Sequence, residues 1–192
     1  MIQEVIVTSL SAGGVAHLAP MGIQREGDQL IILPFRPSTT LDNILATRQA
    51  VINRSDDVRV FAGCLTGHRH WPLAAAEQVR VPRLADCLSH LEVELTRVEE
   101  DAVRPKLCCR PLHEANHRPF QGFNRAQSAV LEAAILVSRL SMLPMSKIDA
   151  ELHYLRSAVD KTAGAREKQA WQWLMAAVEQ YKFNQAAEEQ CP

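Results

Sequence analysis

The sequence Pro34-Phe35-Arg36-Pro37-Ser38-Thr39-Thr40-Leu41-Asp42-Asn43 stands where a run of strand-forming residues ends and a helical pattern begins. The first backbone N–H groups of a helix have no partner within it, and together with the helix dipole they attract an anion. Arg36 adds a fixed positive charge, and three hydroxyl side chains come shortly after it. Capping needs only one hydroxyl, since Thr39 with Asp42 three residues later fits a capping box. The surplus groups predict an anion-binding corner and leave the anion open.

Short apolar runs rich in valine, isoleucine and leucine fill the chain before about residue 120, and Gly, Pro, Asn and Asp separate them. This composition is typical of strands and turns. Charged and apolar residues alternate most clearly over residues 90–98, as in a half-buried strand. We predict a short helix over residues 41–48 and strands over residues 4–10, 15–23, 29–35, 50–52, 58–63, 90–98 and 103–109. Six or seven short strands with one inserted helix predict a small antiparallel barrel.

After residue 120, alanine, leucine, glutamate, glutamine and lysine recur at helical spacing. We predict three helices over residues 124–142, 146–161 and 165–183, with Ser146 as the N-cap of the second. The fold class is therefore α+β, with a barrel followed by a helical region.

Composition and charge exclude several classes of protein. Hydrophobic residues make up 47% and charged residues 22%, as in an ordinary globular chain, and the net charge of −1 argues against a nucleic-acid partner. Because no apolar run is long enough to span a bilayer and no signal peptide is recognisable, we expect no membrane partner and a cytoplasmic location. Five cysteines, with no CxxC pair, predict free thiols.

The segment Ala19-Pro20-Met21-Gly22 lies late in the second predicted strand. Proline cannot donate a hydrogen bond to a neighbouring strand, so Pro20 predicts a sheet edge or a bulge. Gly22 allows another group to approach the backbone closely. A flat ring lying against the strand would use both features, and an ordinary β-bulge is the alternative.

Two histidine-rich segments could hold a metal. His113-Glu114-Ala115-Asn116-His117 matches the H-E-x-x-H motif of zinc proteases, which requires a helix, but Pro111 and Pro119 leave little room for one. We expect a polar connector between the barrel and the helices, with a zinc hydrolase as a remote alternative. His68-Arg69-His70 could bind an anion or a metal, and a solvated loop is the simpler interpretation.

A narrow polar stripe runs along the first helix of the C-terminal half. Arg125, Glu132 and Arg139 recur every seven residues, and Ser128 lies between the first two. The stripe could face a ligand, a second subunit or solvent, or it could form an internal chain of ion pairs with Glu132 between two arginines.

Several of these segments together resemble the FMN-binding split-barrel superfamily, which includes flavin reductases and pyridoxamine-phosphate oxidases. The whole chain resembles a branch of unknown function with a helical C-terminal extension. The segments that carry the resemblance are Ala19-Pro20-Met21-Gly22, Arg36 through Asn43, Val51-Ile52-Asn53, Gly122-Phe123-Asn124-Arg125-Ala126, and Ala129-Val130-Leu131-Glu132-Ala133 with Arg139.

The resemblance implies an FMN-binding split β-barrel over residues 1–118 and a helical extension over residues 119–192 packed on the barrel. It also implies a homodimer with the flavin near the subunit interface. The phosphate would lie at the corner after a barrel strand, and the flavin ring against the strand that contains the Pro-Met pair. The cofactor-binding residues implied are Thr8, Pro20, Met21, Gly22, Arg36, Ser38, Thr39, Thr40, Asn43, Asn53, Asn124 and Arg125.

The resemblance further implies an FMN-dependent oxidoreductase or reductase that acts on an unknown small molecule. FMN supplies the chemistry in such a protein, so no catalytic side chain and no metal is predicted. A nicotinamide nucleotide could be the reductant, bound only transiently because the chain has no G-x-G-x-x-G motif. A non-catalytic FMN-binding or electron-carrier module is the alternative.

Overall fold

The structure, a computed structural model, describes residues 1–189. Cys191, one of the predicted free thiols, lies outside the described residues. The elements, in chain order, are β1 (Ile2–Leu10), β2 (Ala16–Glu26), β3 (Gln29–Ile32), α1 (Thr39–Thr47), β4 (Gln49–Arg54), α2 (Val58–Thr66), β5 (Leu73–Ala74), β6 (Arg83–Leu84), β7 (Ser89–Glu99), β8 (Lys106–Asn116), α3 (Arg125–Val137), α4 (Met145–Thr162) and α5 (Ala165–Glu189).

Six strands form a closed antiparallel barrel in the order β1-β2-β3-β8-β7-β4. Alternate residues of the strands fill the interior, among them Val7, Ile52 and Leu91. Helix α1 adds Leu41 and Ile44 to the same cluster, because both lie on its apolar side. The predicted α+β class, an antiparallel split barrel followed by a three-helix C-terminal region, is confirmed.

The chain divides into two compact units. One contains residues 1–56 and 70–120 and is built around the barrel. The other contains residues 57–69 and the chain from Gln121 onward, so α2 joins the three C-terminal helices. This helical unit has its own apolar core, to which α2 contributes Ala62, α3 Val130, α4 Ile148 and α5 Leu174. Among the described residues, no helix is long and apolar enough to cross a membrane.

The strand predicted over residues 58–63 is wrong, because these residues lie in helix α2. Asp57 caps this helix by accepting a hydrogen bond from the backbone N–H of Arg59. Val58 and Ala62, one helical turn apart, enter the core of the helical unit. Packing on that core outweighs the strand preference of the valines.

Two further local predictions need correction. Helix α4 begins after Pro144, with no side-chain cap, so Ser146 is not its N-cap. Strand β8 begins only at Lys106 and continues to Asn116, where we had expected a polar connector. The pairing of β8 with β7 extends to Ser89 opposite Asn116. This long run of backbone pairing keeps the segment that begins at His113 in the barrel.

Candidate functional site

The corner between β3 and α1 exposes a positive charge at a helix N-terminus. The Arg36 guanidinium lies 2.9 Å from a carboxylate oxygen of Glu100, and its side chain stays 42% exposed. The backbone N–H of Arg36 donates to the carbonyl of Val103, which fixes the start of the corner. The Arg36–Pro37 peptide bond is cis. A guanidinium has five N–H donors, so the pair with Glu100 leaves donors for an anion.

The three hydroxyls of this corner have different surroundings. Ser38, not Thr39 as predicted, is the N-cap of α1, and its Oγ accepts from the backbone N–H of Leu41 at 3.3 Å. Thr39 is exposed, whereas Thr40 is buried at 1% exposure. The side chain of Thr40 therefore cannot meet a ligand at the surface, and Thr39 offers the accessible hydroxyl.

Two buried asparagines fasten elements of the barrel unit together. Asn43 in α1 donates to Oγ of Ser9 in β1 at 3.1 Å. The Asn53 amide donates to Oγ1 of Thr8 at 2.9 Å, and its carbonyl oxygen accepts from the backbone N–H of Leu84 at 2.7 Å. Because Thr8 and Asn53 are fully buried and bond to each other, these contacts tie β1, β4 and β6 together.

The Pro-Met segment lies on a stretch of β2 that pairs with β1 but not with β3. Strand β3 pairs with β2 only from Ile23 onward, so Pro20 lies at a sheet edge, as predicted. Met21 packs against the barrel interior. A Cβ atom added to Gly22 would lie 2.8 Å from Cγ2 of Ile2, so the close approach expected at this glycine is made by a side chain of the same sheet.

Asn124 and Arg125 belong to the helical unit. The Asn124 side chain caps α3 by accepting from the backbone N–H of Ala126 at 2.8 Å, and it donates to the carbonyl of Thr162 at 3.1 Å. Arg125 is exposed, as are Glu132 and Arg139. Within residues 1–189, no ion pair joins these three charges, so the internal ion-pair chain is excluded and the stripe is an exposed surface.

The other histidine segment, His68-Arg69-His70, is only partly a solvated loop. The His68 ring stacks on Trp173 with centroids 4.0 Å apart, and both residues belong to the helical unit. Arg69 and His70 are exposed.

The H-E-x-x-H segment gives a different result from either prediction. His113 lies in β8 opposite Glu92 of β7, so the zinc-protease helix is wrong. The strand nevertheless brings His113 and His117 beside a buried pair formed by His90 and Glu92. His90 Nδ1 lies 2.9 Å from His117 Nε2, and His90 Nε2 lies 3.1 Å from Glu92 Oε1.

Strong hydrogen bonds fix the Glu92 carboxylate. It accepts from the backbone N–H groups of Glu77, Gln78 and Val79 at 2.7–2.9 Å. Burial by itself would raise the pKa of Glu92, but these bonds and the contact with His90 lower it overall. The sequence signal for this group was the alternation along β7, which places His90 and Glu92 on the face opposite Leu91; nothing local indicated that β8 would bring two more histidines to it.

Two family models together match most of the chain. The model described as "Protein of unknown function (DUF447) N-terminal domain" matches residues 3–118, and the model described as "Protein of unknown function (DUF447)" matches residues 124–176. Comparison with curated protein sequences found no match.

Several solved structures share the fold. An FMN-bound protein of the DUF447 family from Methanosarcina mazei has a TM-score of 0.81 and 21% identity, covering 92% of this chain and 94% of that chain. A 2-nitrobenzoate 2-nitroreductase from Pseudomonas fluorescens has a TM-score of 0.52 and 20% identity, covering 59% and 64%. A flavoredoxin from Methanosarcina acetivorans has a TM-score of 0.54 and 15% identity, covering 60% and 69%. The two family matches confirm the predicted branch of unknown function, and the solved structures share the predicted split-barrel fold.

Proposed function

Because this chain belongs to the DUF447 family, we propose that it binds FMN and works as an FMN-dependent oxidoreductase on a small molecule. The observation that carries the proposal is the likeness, over nearly the whole of both chains, to an FMN-bound protein of the same family. FMN would supply the redox chemistry, and the protein would bind and orient it.

The FMN phosphate is assigned to the corner before α1. The exposed guanidinium of Arg36, the hydroxyl of Thr39 and the first backbone N–H groups of α1 provide donors of the kind that bind a phosphate. Ser38 shares its oxygen with the helix cap, and Thr40 contributes through its backbone because its side chain is buried.

The flavin ring is assigned to the stretch of β2 that pairs with β1 but not with β3. Pro20 and Gly22 leave a flat, partly exposed backbone there, and β3 does not pair with it. Three of the predicted cofactor residues are buried and would stabilise the strands beneath the flavin through their hydrogen bonds instead of contacting it: Thr8, Asn43 and Asn53. Asn124 and Arg125 belong to the helical unit, and their contact with the cofactor stays a prediction from the resemblance.

Purified protein with FMN provides the direct test. We expect a flavin absorption spectrum, either in the protein as purified or after addition of FMN, with one equivalent bound per chain. A colourless protein that leaves the spectrum and fluorescence of added FMN unchanged would contradict the proposal. Rapid bleaching on anaerobic mixing with NADH or NADPH supports the reductase. Bleaching by dithionite alone supports the electron-carrier alternative.

The protein is also proposed to be a homodimer whose flavin lies near the subunit interface. The exposed polar stripe of Arg125, Glu132 and Arg139 offers a surface for that contact. Sedimentation velocity of the FMN-saturated protein should give twice the chain mass of 21.4 kDa. A monomer that holds FMN with full stoichiometry would remove the second subunit from the site.

A further inference from the structure

Three of the seven histidines of the chain meet on one face of the barrel unit, beside a buried carboxylate. His90 and Glu92 are 1% and 0% exposed, and His113 is half-buried. One ligand atom from each of His90, Glu92 and His113 lies within 4.8 Å of the other two. Within the part of the chain that the structure describes, the hydrogen bonds of the cluster do not use the ring of His113, so its nitrogens remain available.

The spacing suits a small divalent ion. His90 Nε2 and Glu92 Oε1 are 3.1 Å apart. Two ligands of a tetrahedral zinc ion, at bond lengths of about 2.0–2.1 Å, lie roughly 3.3 Å from each other. An ion could therefore replace the proton between His90 and Glu92 with only small side-chain movements. His113 would provide the third ligand.

The surroundings orient these ligands as the outer groups of a metal site do. Glu92 Oε2 accepts from the backbone N–H groups of Gln78 and Val79, which holds the carboxylate still. The second ring nitrogen of His90 faces His117, so Nδ1–H of a metal-bound His90 could donate to His117. Metal-binding histidines nearly always have such a partner.

We propose that His90, Glu92 and His113 bind one divalent first-row transition metal, with zinc the expected ion, and that His117 positions His90. Two imidazoles and one carboxylate suit such an ion and not Ca²⁺ or Mg²⁺, which prefer oxygen ligands. A fourth position remains for water. The ion would tie β7 and β8 together and hold the segment Glu77–Val79 through Glu92. The proposal does not depend on FMN.

The experiment is a calorimetric titration of ZnCl₂ into the full-length protein after dialysis against a chelator, with and without FMN. We expect one equivalent of zinc per chain in both cases. His113→Gln should abolish the saturable phase, because it removes one of the three ligands. His117→Gln should retain the stoichiometry and weaken binding about 10–100-fold, as expected for an outer partner.

His153→Gln is the matched control, since His153 is an exposed histidine of the helical unit, and it should bind zinc like the wild type. Cobalt gives an independent signal: the visible absorption of the Co²⁺ protein should be lost in His113→Gln and kept in His153→Gln. Circular dichroism confirms that each variant is folded. The proposal is overturned if the wild type shows no saturable zinc binding, or if His113→Gln binds as tightly as the wild type.

Discussion

At the scale of single residues, the polar residues of the corner before α1 look alike in the sequence but differ in their roles. Ser38 caps the helix and Thr40 is buried, so both serve the fold. Arg36 and Thr39 remain exposed at the same helix end. An exposed ion pair such as Arg36 with Glu100 contributes little to stability, so the arginine can be changed without unfolding the protein.

Arg36→Ala should weaken FMN binding by about 1.5–3 kcal/mol, the usual contribution of a hydrogen bond to a charged group. The measurement is a fluorescence titration with FMN. Arg97→Ala is the matched control, because Arg97 is also exposed and paired with a nearby carboxylate, Glu99. Equal FMN affinity of the two variants would remove Arg36 from the phosphate site.

Gly22→Ala tests the close contact on β2. The added methyl would lie 2.8 Å from Ile2 Cγ2, so we expect the free energy of unfolding to fall by about 1–3 kcal/mol in urea denaturation. The double variant with Ile2→Ala should recover that stability. If the double variant regains stability but binds FMN more weakly than the wild type, the methyl added at position 22 also obstructs the flavin. If Gly22→Ala alone loses no stability, the contact with Ile2 is not a source of strain.

At the scale of elements, Asn53 connects three parts of the barrel unit. Its amide bonds to Thr8 of β1 and to the carbonyl of Ile6, and its oxygen accepts from Leu84 of β6. A backbone group that is buried without a hydrogen-bond partner lowers stability. The Asn53 side chain provides that partner for the backbone N–H of Leu84 in β6. Asn53 therefore stabilises the barrel unit by linking β1 and β6 to β4.

Asn53→Ala should lower the free energy of unfolding by about 1–3 kcal/mol for each buried group left without a partner. Urea denaturation of the FMN-free protein measures the change. Asn116→Ala, at the exposed end of β8, should be nearly neutral. A change in FMN affinity at unchanged stability would be the contrary result and would support direct contact of Asn53 with the cofactor.

At the scale of the whole molecule, both units bury thiols. Cys64 lies in the helical unit, and Cys87, Cys108 and Cys109 lie in the barrel unit. Burial raises the pKa of Cys64 to about 11 and that of Cys109 to about 12, in the second case with a contribution from neighbouring Cys108. Since the thiolate is the reactive form, we expect Cys64 and Cys109 to react slowly in the folded protein.

In a Cys191→Ser background, a thiol reagent at pH 8 should label the folded protein slowly and all four remaining cysteines after unfolding in urea. The raised pKa values of Cys64 and Cys109 also predict how stability depends on pH. The folded state keeps protons on these thiols that the unfolded state loses above about pH 8.5. The free energy of unfolding should therefore fall between that pH and about 11–12. Cys109→Ala should reduce this fall. Rapid labelling of the folded protein would show that one of the units opens readily.

Much of the fold could be predicted from the sequence because local periodicity reports which face of an element is buried. The alternation along β7, the turn before β2 and the three C-terminal helical patterns all have the predicted type. The segments around Pro20, Arg36 and Asn124 indicated the split-barrel fold that the solved structures share. Helix α1 begins at the predicted corner, and anion binding there stays a prediction. The cytoplasmic location, the homodimer and the individual FMN contacts remain predictions.

The sequence by itself determined the type of most barrel strands, of helix α1 and of the three C-terminal helices, and the position of the corner, since these depend on residues close in the chain. Only the tertiary structure decided that residues 58–66 form a helix, because Val58 and Ala62 pack in a core made by distant residues. Likewise, only strand pairing brings His113 to His90 and Glu92, 21 or more positions earlier in the chain. No local pattern specifies which distant side chains meet, because the register between strands determines it.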